Sequence, residues 1–211
     1  MRTRLAIAAS AVALLAGGAA GAEVSEAVRN SIARLNYAGH GTRYNCTATI
    51  VAANAAVTTK SCIASVDPES IHLVSGFDRG TLTEHRRVTR VLYDGADEDV
   101  AVLCTDAAFE DAGAFADYSD AGPGDRLIVA GYWKPRNQTL NSRACTVAER
   151  SAADGSLVVD CGLPSGGGGA PAFTEVDGTV RLYGIATGTS EQATRFARWR
   201  GDPPDRACTR P

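Results

Sequence analysis

The sequence predicts an all-β protein, an antiparallel barrel or sandwich of about ten short strands. Three observations carry that expectation. Apolar and polar residues alternate with period two in stretch after stretch, as in Ser31-Ile32-Ala33-Arg34-Leu35-Asn36. Clusters of Gly, Pro, Asp and Asn break these stretches. Helical periodicity is nearly absent except close to the two ends.

The 211-residue chain opens with Arg2 and Arg4, then an apolar run from Leu5 to Leu15, then the small residues Ala20-Gly21-Ala22. This is the pattern of an export signal over residues 1–22, cut before Glu23, with an apolar run too short to span a bilayer. No later stretch is apolar enough to cross a membrane. The exported chain is therefore expected to be soluble, secreted or periplasmic, with no membrane insertion after cleavage. Loss of Arg2 and Arg4 takes the net charge from −3 to −5, an acidity that argues against nucleic acid as a partner.

A short helix is expected to begin at Ser25, with the first strand over 31–36. A hairpin follows: Cys46 to Ala52, an Ala53-Asn54 turn, and Ala55 to Thr59, built of small and β-branched residues. Further strands are expected over 71–75, 86–93, 100–105, 126–131, 140–149, 157–161, 172–176 and 180–187. Ser190-Glu191-Gln192 reads as the cap of a terminal helix over Glu191–Arg200, with Ala193, Phe196, Ala197 and Trp199 at helical spacing. The following "GDPPD" is expected to stop it. The polar "DYSDAGPGDR" at 117–126 divides the strands into two comparable sets. It sets the expected organisation: an N-terminal lobe over 23–118, a C-terminal lobe over 119–189, and a helix and tail over 190–211.

Six cysteines in an exported chain read as three disulfides, with fifteen possible pairings. None has metal-ligand spacing, so neither a metal nor another cofactor is expected. His40, His72 and His85 are scattered, and read as ordinary loop or strand-surface residues.

"SIARLN", "CTATIVAANAAVTTKSC", "DEDVAVL", "LIVAGYW" and "YGIATGT", in that order along the chain, together resemble segments of the chymotrypsin/trypsin-like serine peptidases, in particular their bacterial glutamyl-endopeptidase-like branch. "SIARLN" is similar to the first strand of that family. "CTATIVAANAAVTTKSC", 46–62, resembles its C-(S/T)-G-(T/S) strand and T-A-A-H-C turn, with the cysteine spacing kept. "DEDVAVL", 97–103, resembles the strand that follows the catalytic aspartate. "LIVAGYW", 127–133, resembles the V-x-G-(Y/W) strand. "CTVAERSAADGSLVVDCGLPSGGGGAPAF", 145–173, resembles the hairpin and nucleophile loop, and "YGIATGT", 183–189, the strand lining the substrate cleft. The resemblance implies two six-stranded antiparallel barrels. It also implies the bridges Cys46–Cys62 and Cys145–Cys161, which leaves Cys104 with Cys208.

Peptide hydrolysis by that machinery needs a serine oxygen, an imidazole to take its proton and a carboxylate to orient the imidazole. The resemblance puts the carboxylate at Asp99. The imidazole position holds Ser61, whose hydroxyl is no general base near neutrality. Counting back from Pro171 puts the nucleophile position at Gly168. Counting forward from Cys161 instead offers Ser165, at the cost of an insertion before the proline. On the first count two of three triad positions are lost, and losing one alone costs roughly a millionfold in turnover. The glycines Gly166, Gly167, Gly168 and Gly169 read either as a retained anion-accepting nest or as a floppy turn. Gly162 and the "GIATG" strand carry no charge, so no charged specificity follows from them.

Three functions compete at this level. The first is a secreted peptidase homologue without proteolytic activity that binds a protein or peptide, in a binding or regulatory role. The second is an active serine hydrolase using Ser165 with a relocated base. The third is a structural envelope protein.

Overall fold

The computed structural model describes residues 22–37, 45–64, 66–93, 99–111, 113–115, 118–200 and 203–209. The export signal read over 1–22 falls outside these residues except for Ala22, and His40 falls outside them altogether.

The chain folds into two closed antiparallel barrels of six strands each. The first holds β1 (Ile32–Tyr37), β2 (Asn45–Ala52), β3 (Ala55–Thr58), β4 (Ile71–Ser75), β5 (Glu84–Tyr93) and β6 (Ala101–Thr105), in the spatial order β1-β2-β3-β6-β5-β4. The second holds β7 (Arg126–Gly131), β8 (Asn141–Arg150), β9 (Leu157–Val159), β10 (Pro171–Val176), β11 (Thr179–Thr189) and β12 (Thr194–Ala197). Their order, β7-β8-β9-β12-β11-β10, repeats the wiring of the first barrel. This architecture, with little helix, fits a chymotrypsin-like fold.

The interior of each barrel is filled by alternate residues of its strands. In the first these include Leu35, Ile50, Leu73 and Leu103; in the second, Leu127, Val147, Val159 and Phe196. Two further apolar layers lie on the other strand faces. One gathers Ile32, Phe115, Tyr132, Phe173 and Leu182; the other gathers Ala55, Val57, Val102, Ile185 and Ala197. Each layer draws on both barrels. β3 is consequently buried along its whole length, with Ala56 facing the barrel interior and Ala55 and Val57 facing the second barrel.

Among the described residues, three short α-helices, α1 (Glu26–Asn30), α2 (Lys60–Ile63) and α3 (Pro204–Thr209), and a 3-10 turn (Pro68–Ser70) complete the fold. Ser25 caps α1 by accepting from Val28 N. The terminal helix expected over Glu191–Arg200 is not there. Thr194 to Ala197 instead form β12, the strand that closes the second barrel between β11 and β9. Thr194 and Phe196 are buried and Arg195 points out, so the local period is two. The gap between β9 and β11 needs a strand to satisfy two rows of backbone groups, and that demand outweighs local helical spacing. The helix comes later. The "GDPPD" read as a stop contains its start, since Pro204 tolerates the first helical position where an N–H has no partner anyway.

The disulfides are Cys46–Cys62, Cys145–Cys161 and Cys104–Cys208. The first ties β2 to α2 and the second ties β8 to the end of the β9 segment. The third spans 104 residues and fixes α3 to β6. Loop-closure entropy assigns a bridge of that span roughly 4–5 kcal/mol.

Phe173 is fully buried and meets Phe115 edge-on at 5.3 Å between ring centroids. Phe173→Ala should cost about 3–5 kcal/mol of unfolding free energy, read by urea titration. A loss below about 1 kcal/mol would contradict a packed layer at this position.

Candidate functional site

The site is assembled where β3 leaves the first barrel. Thr59 ends the strand in an extended conformation and caps α2, its Oγ1 accepting from Cys62 N at 3.3 Å. The helix has a single turn, and Cys62 within it is bridged to Cys46 of β2. That anchoring fixes Ser61. Asp99 directly precedes buried Val100, which leads into β6, and β6 pairs with β3. The pairing brings Asp99 to Ser61 across 38 residues of sequence.

The contact is twofold. Ser61 N donates to Asp99 Oδ1 at 2.8 Å, and Ser61 Oγ donates to Asp99 Oδ2 at 2.8 Å. Ser61 Oγ also lies 3.1 Å from Thr59 Oγ1. The carboxylate therefore holds the serine's only hydroxyl proton. A group that already gives its proton to an acid and has no basic lone pair near neutrality cannot lift a proton from a nucleophile.

Gly168 lies opposite. A Cβ on it would stand 3.0 Å from Cys62 Sγ and 3.2 Å from Thr59 Oγ1, so the position faces the α2 turn. Gly166 and Gly169 have φ of +101° and +82°, a region that disfavours side chains. A Cβ there would also stand 2.5 Å from Tyr132 O and 2.0 Å from Thr47 O, respectively. Gly168 has no such φ. Glycine is required on either side of it by the backbone, but not at 168 itself.

The loop is pinned. Thr47 N donates to Gly168 O at 2.9 Å, Thr47 Oγ1 to Gly166 O at 3.0 Å, and Thr49 Oγ1 to Gly169 O at 2.8 Å. Gly169 N donates in turn to Ala186 O of β11 at 2.8 Å. Backbone groups held from both barrels describe a rigid turn rather than a loose one.

Ser165 is exposed on the rim, and its carbonyl accepts from Lys134 N at 2.9 Å. Among the described residues its hydroxyl has no hydrogen-bond partner. His72 of β4 and His85 of β5 face each other, with Nδ1 of one 2.7 Å from Nε2 of the other, and neither lines the cleft. Gly162 packs so closely that a Cβ would stand 2.2 Å from Ser190 O, and Arg143 Nη1 donates to its carbonyl.

Ser61, Gly168, Gly166 and Ser165 thus border one cleft of about 580 Å³. Tyr37, Val66 and the Cys46–Cys62 bridge form an apolar side, and Thr187 and Thr189 of β11 form a polar one. Among the described residues no charged side chain lines it. Burial pushes the Tyr37 phenol up to about 12, so it too is neutral. No group of three or more His, Cys, Asp or Glu among the described residues is placed to hold a metal ion.

The residues absent from the sequence reading are Thr47, Thr49 and Thr59. Thr47 and Thr49 are two apart on β2, hence on one face, and both are fully buried. Two hydroxyls on a buried strand face need polar partners, and that was the signal available.

Gly169→Ala should destabilise the fold by well over the roughly 1–2 kcal/mol that a left-handed backbone alone costs an alanine. Gly168→Ala should cost clearly less, since its neighbours need move only a few tenths of an ångström. Equal losses in urea unfolding would mean that the loop is not held as described.

Comparison with protein-family models and with curated proteins finds no match for this chain.

Proposed function

We propose that this protein is an exported homologue of the chymotrypsin-like serine peptidases, of the glutamyl-endopeptidase-like kind, that no longer hydrolyses peptide bonds. It serves as a binding or regulatory module by holding a peptide segment of a partner in its cleft. The observation that carries the reading is the pair of hydrogen bonds between Ser61 and Asp99, facing a glycine at 168. The acid has its partner, but the partner is a hydroxyl, and no side chain stands opposite to be activated.

Two further observations favour binding. The scaffold around the lost chemistry is intact, with a bridged α2 and a pinned glycine loop. An extended segment also has a place to pair. β10 accompanies β11 only as far as Ile185, and beyond it Thr187 and Thr189 face the cleft with no strand on that side. Main-chain pairing along such an edge supplies affinity with little demand on side chains. A backbone-held oxyanion site alone would leave roughly 10³–10⁴-fold acceleration over water, too little for a working peptidase. Three disulfides agree with an oxidising, extracytoplasmic setting.

The test is hydrolysis of casein and of activated esters, with labelling by a fluorophosphonate probe. The natural chain is expected to give neither turnover nor label, and Ser165→Ala should change nothing. The double variant Ser61→His with Gly168→Ser, which rebuilds the missing pair beside Asp99, is expected to acquire label. Turnover by the natural chain that Ser165→Ala or His40→Ala abolishes would refute the proposal and leave the active-hydrolase reading standing.

A further inference from the structure

His72 and His85, scattered in sequence, are brought together by the first barrel. Ile71 and Leu73 of β4 and Val88 of β5 fill the barrel interior, so His72 and His85 stand on the outer face. In the β4–β5 register His72 faces Arg87 and Val74 faces His85, which makes the two imidazoles diagonal neighbours. Nδ1 of His72 lies 2.7 Å from Nε2 of His85, the ring centroids are 5.0 Å apart, and the ring planes differ by 6°. The centroid separation equals the distance between the two nitrogens plus the two ring radii. The rings therefore lie in one plane, nitrogen to nitrogen, with the outward directions of both nitrogens on a single line. A hydrogen on that line joins them, donated by one ring to the other.

Two nitrogen donors facing each other on one line are also the ligand set of a two-coordinate metal ion. Three observations say which kind. Structural Zn²⁺ takes four ligands at tetrahedral angles. Among the described residues no third His, Cys, Asp or Glu is placed to join this pair. A bent site would also turn both rings off their common line. A linear one keeps that line: with metal–imidazole bonds of about 2 Å, the nitrogens part from 2.7 Å to about 4 Å along the axis they already define. Both rings are half-buried, so each has solvent to withdraw toward. The charged side chains in register with the pair are cations: Arg87 faces His72, and Arg34 on β1 faces Val74. Arg87 is partly offset by Asp106 at 3.3 Å, while Arg34 is bonded to the neutral groups Asn36 Oδ1 and Asn137 O. A single positive charge between the rings meets half the repulsion that a double one would.

The geometry points to a linear site for a monovalent copper ion, held between His72 Nδ1 and His85 Nε2 on the outer face of the first barrel. Imidazole is a copper ligand, and Cu⁺ is satisfied by two donors on a line. The hydrogen between the rings moves to the other nitrogen of the ring that carried it, so both imidazoles stay neutral while both facing lone pairs bind the metal. The ion ties β4 to β5. Neither histidine lines the cleft, so the site stands apart from the binding role proposed there. The rest of the chain offers a soft ion few competitors. All six cysteines are in disulfides, and the one methionine is Met1, within the residues read as an export signal. His40 is the one remaining histidine.

The experiment titrates the purified, fully oxidised protein in chloride-free buffer with Ag⁺, the air-stable ion of the same charge and the same preference for linear coordination. Nitrogen-15 spectra of the imidazoles follow the titration. One Ag⁺ per chain should move the signals of His72 Nδ1 and His85 Nε2 together. Changing the groups that support a metal's ligands costs about 10–100-fold in affinity, so losing a ligand in His72→Ala or His85→Ala should cost at least about a hundredfold. His40→Ala should bind as the natural chain does. Cu⁺, kept reduced by ascorbate under nitrogen, should move the same two signals in a separate titration, and Zn²⁺ should do so only at far higher concentration. Ag⁺ that leaves these imidazoles unmoved, or that binds both alanine variants as tightly as the natural chain, would overturn the site. Cu⁺ without effect on the two signals would overturn its assignment to copper. Zn²⁺ binding as tightly as Ag⁺ would overturn the linear, monovalent site by revealing a further ligand. The spectra of the natural chain decide these points by themselves should a variant fail to fold.

Discussion

The side chain on which the centre of the molecule depends is Thr47. It is fully buried in β2, and every polar atom it has is engaged. Its N–H holds the Gly168 carbonyl, and its hydroxyl donates to Gly166 O and accepts from Tyr132 N. Its own carbonyl accepts from Thr58 Oγ1 at 2.9 Å. One residue of the first barrel thereby fixes both the glycine loop and the strand end of the second. Buried groups of this kind are costly to leave unmade, since a lone buried donor or acceptor loses its hydration without compensation. The cleft takes its shape from that requirement rather than from side chains that reach into it.

The apolar layers between the barrels do the complementary work. Ile32, Phe173 and Leu182 on one layer, and Val57, Val102 and Ile185 on another, keep the two barrels in fixed register. The polar pins at Thr47 and Thr49 require such a register to sub-ångström accuracy, because hydrogen bonds weaken steeply with distance and angle. Non-directional burial brings the halves together, and a few directional bonds decide how they meet.

The sequence carried much of this and missed the rest for identifiable reasons. Most strands were legible, because a wall between core and solvent forces alternation, and short turns interrupt it. β12 was not legible. Four residues with a central arginine give little alternation to read, while Phe196 and Trp199 happen to sit at helical spacing. What makes Thr194–Ala197 a strand is a gap between β11 and β9, and β9 lies far outside any local window of sequence. Ser61 and Asp99 lie 38 residues apart, and no local pattern joins them. Only the ordered motifs brought them into one argument, and the structure places them in hydrogen-bond contact. Thr47 and Thr49 passed as ordinary strand formers, because threonine favours strands whether or not its hydroxyl has a task.

Barrel closure also governs how the molecule behaves in company. Each of the twelve strands has a neighbour on both sides, so neither sheet offers a long row of unpaired amides to a second copy. Such rows are the templates on which sheets stack into aggregates. The short stretch at Thr187–Thr189, open on the side that β10 leaves, is too brief to seed a stack. Closure of both barrels thus confines strand addition, among the described residues, to short stretches of edge.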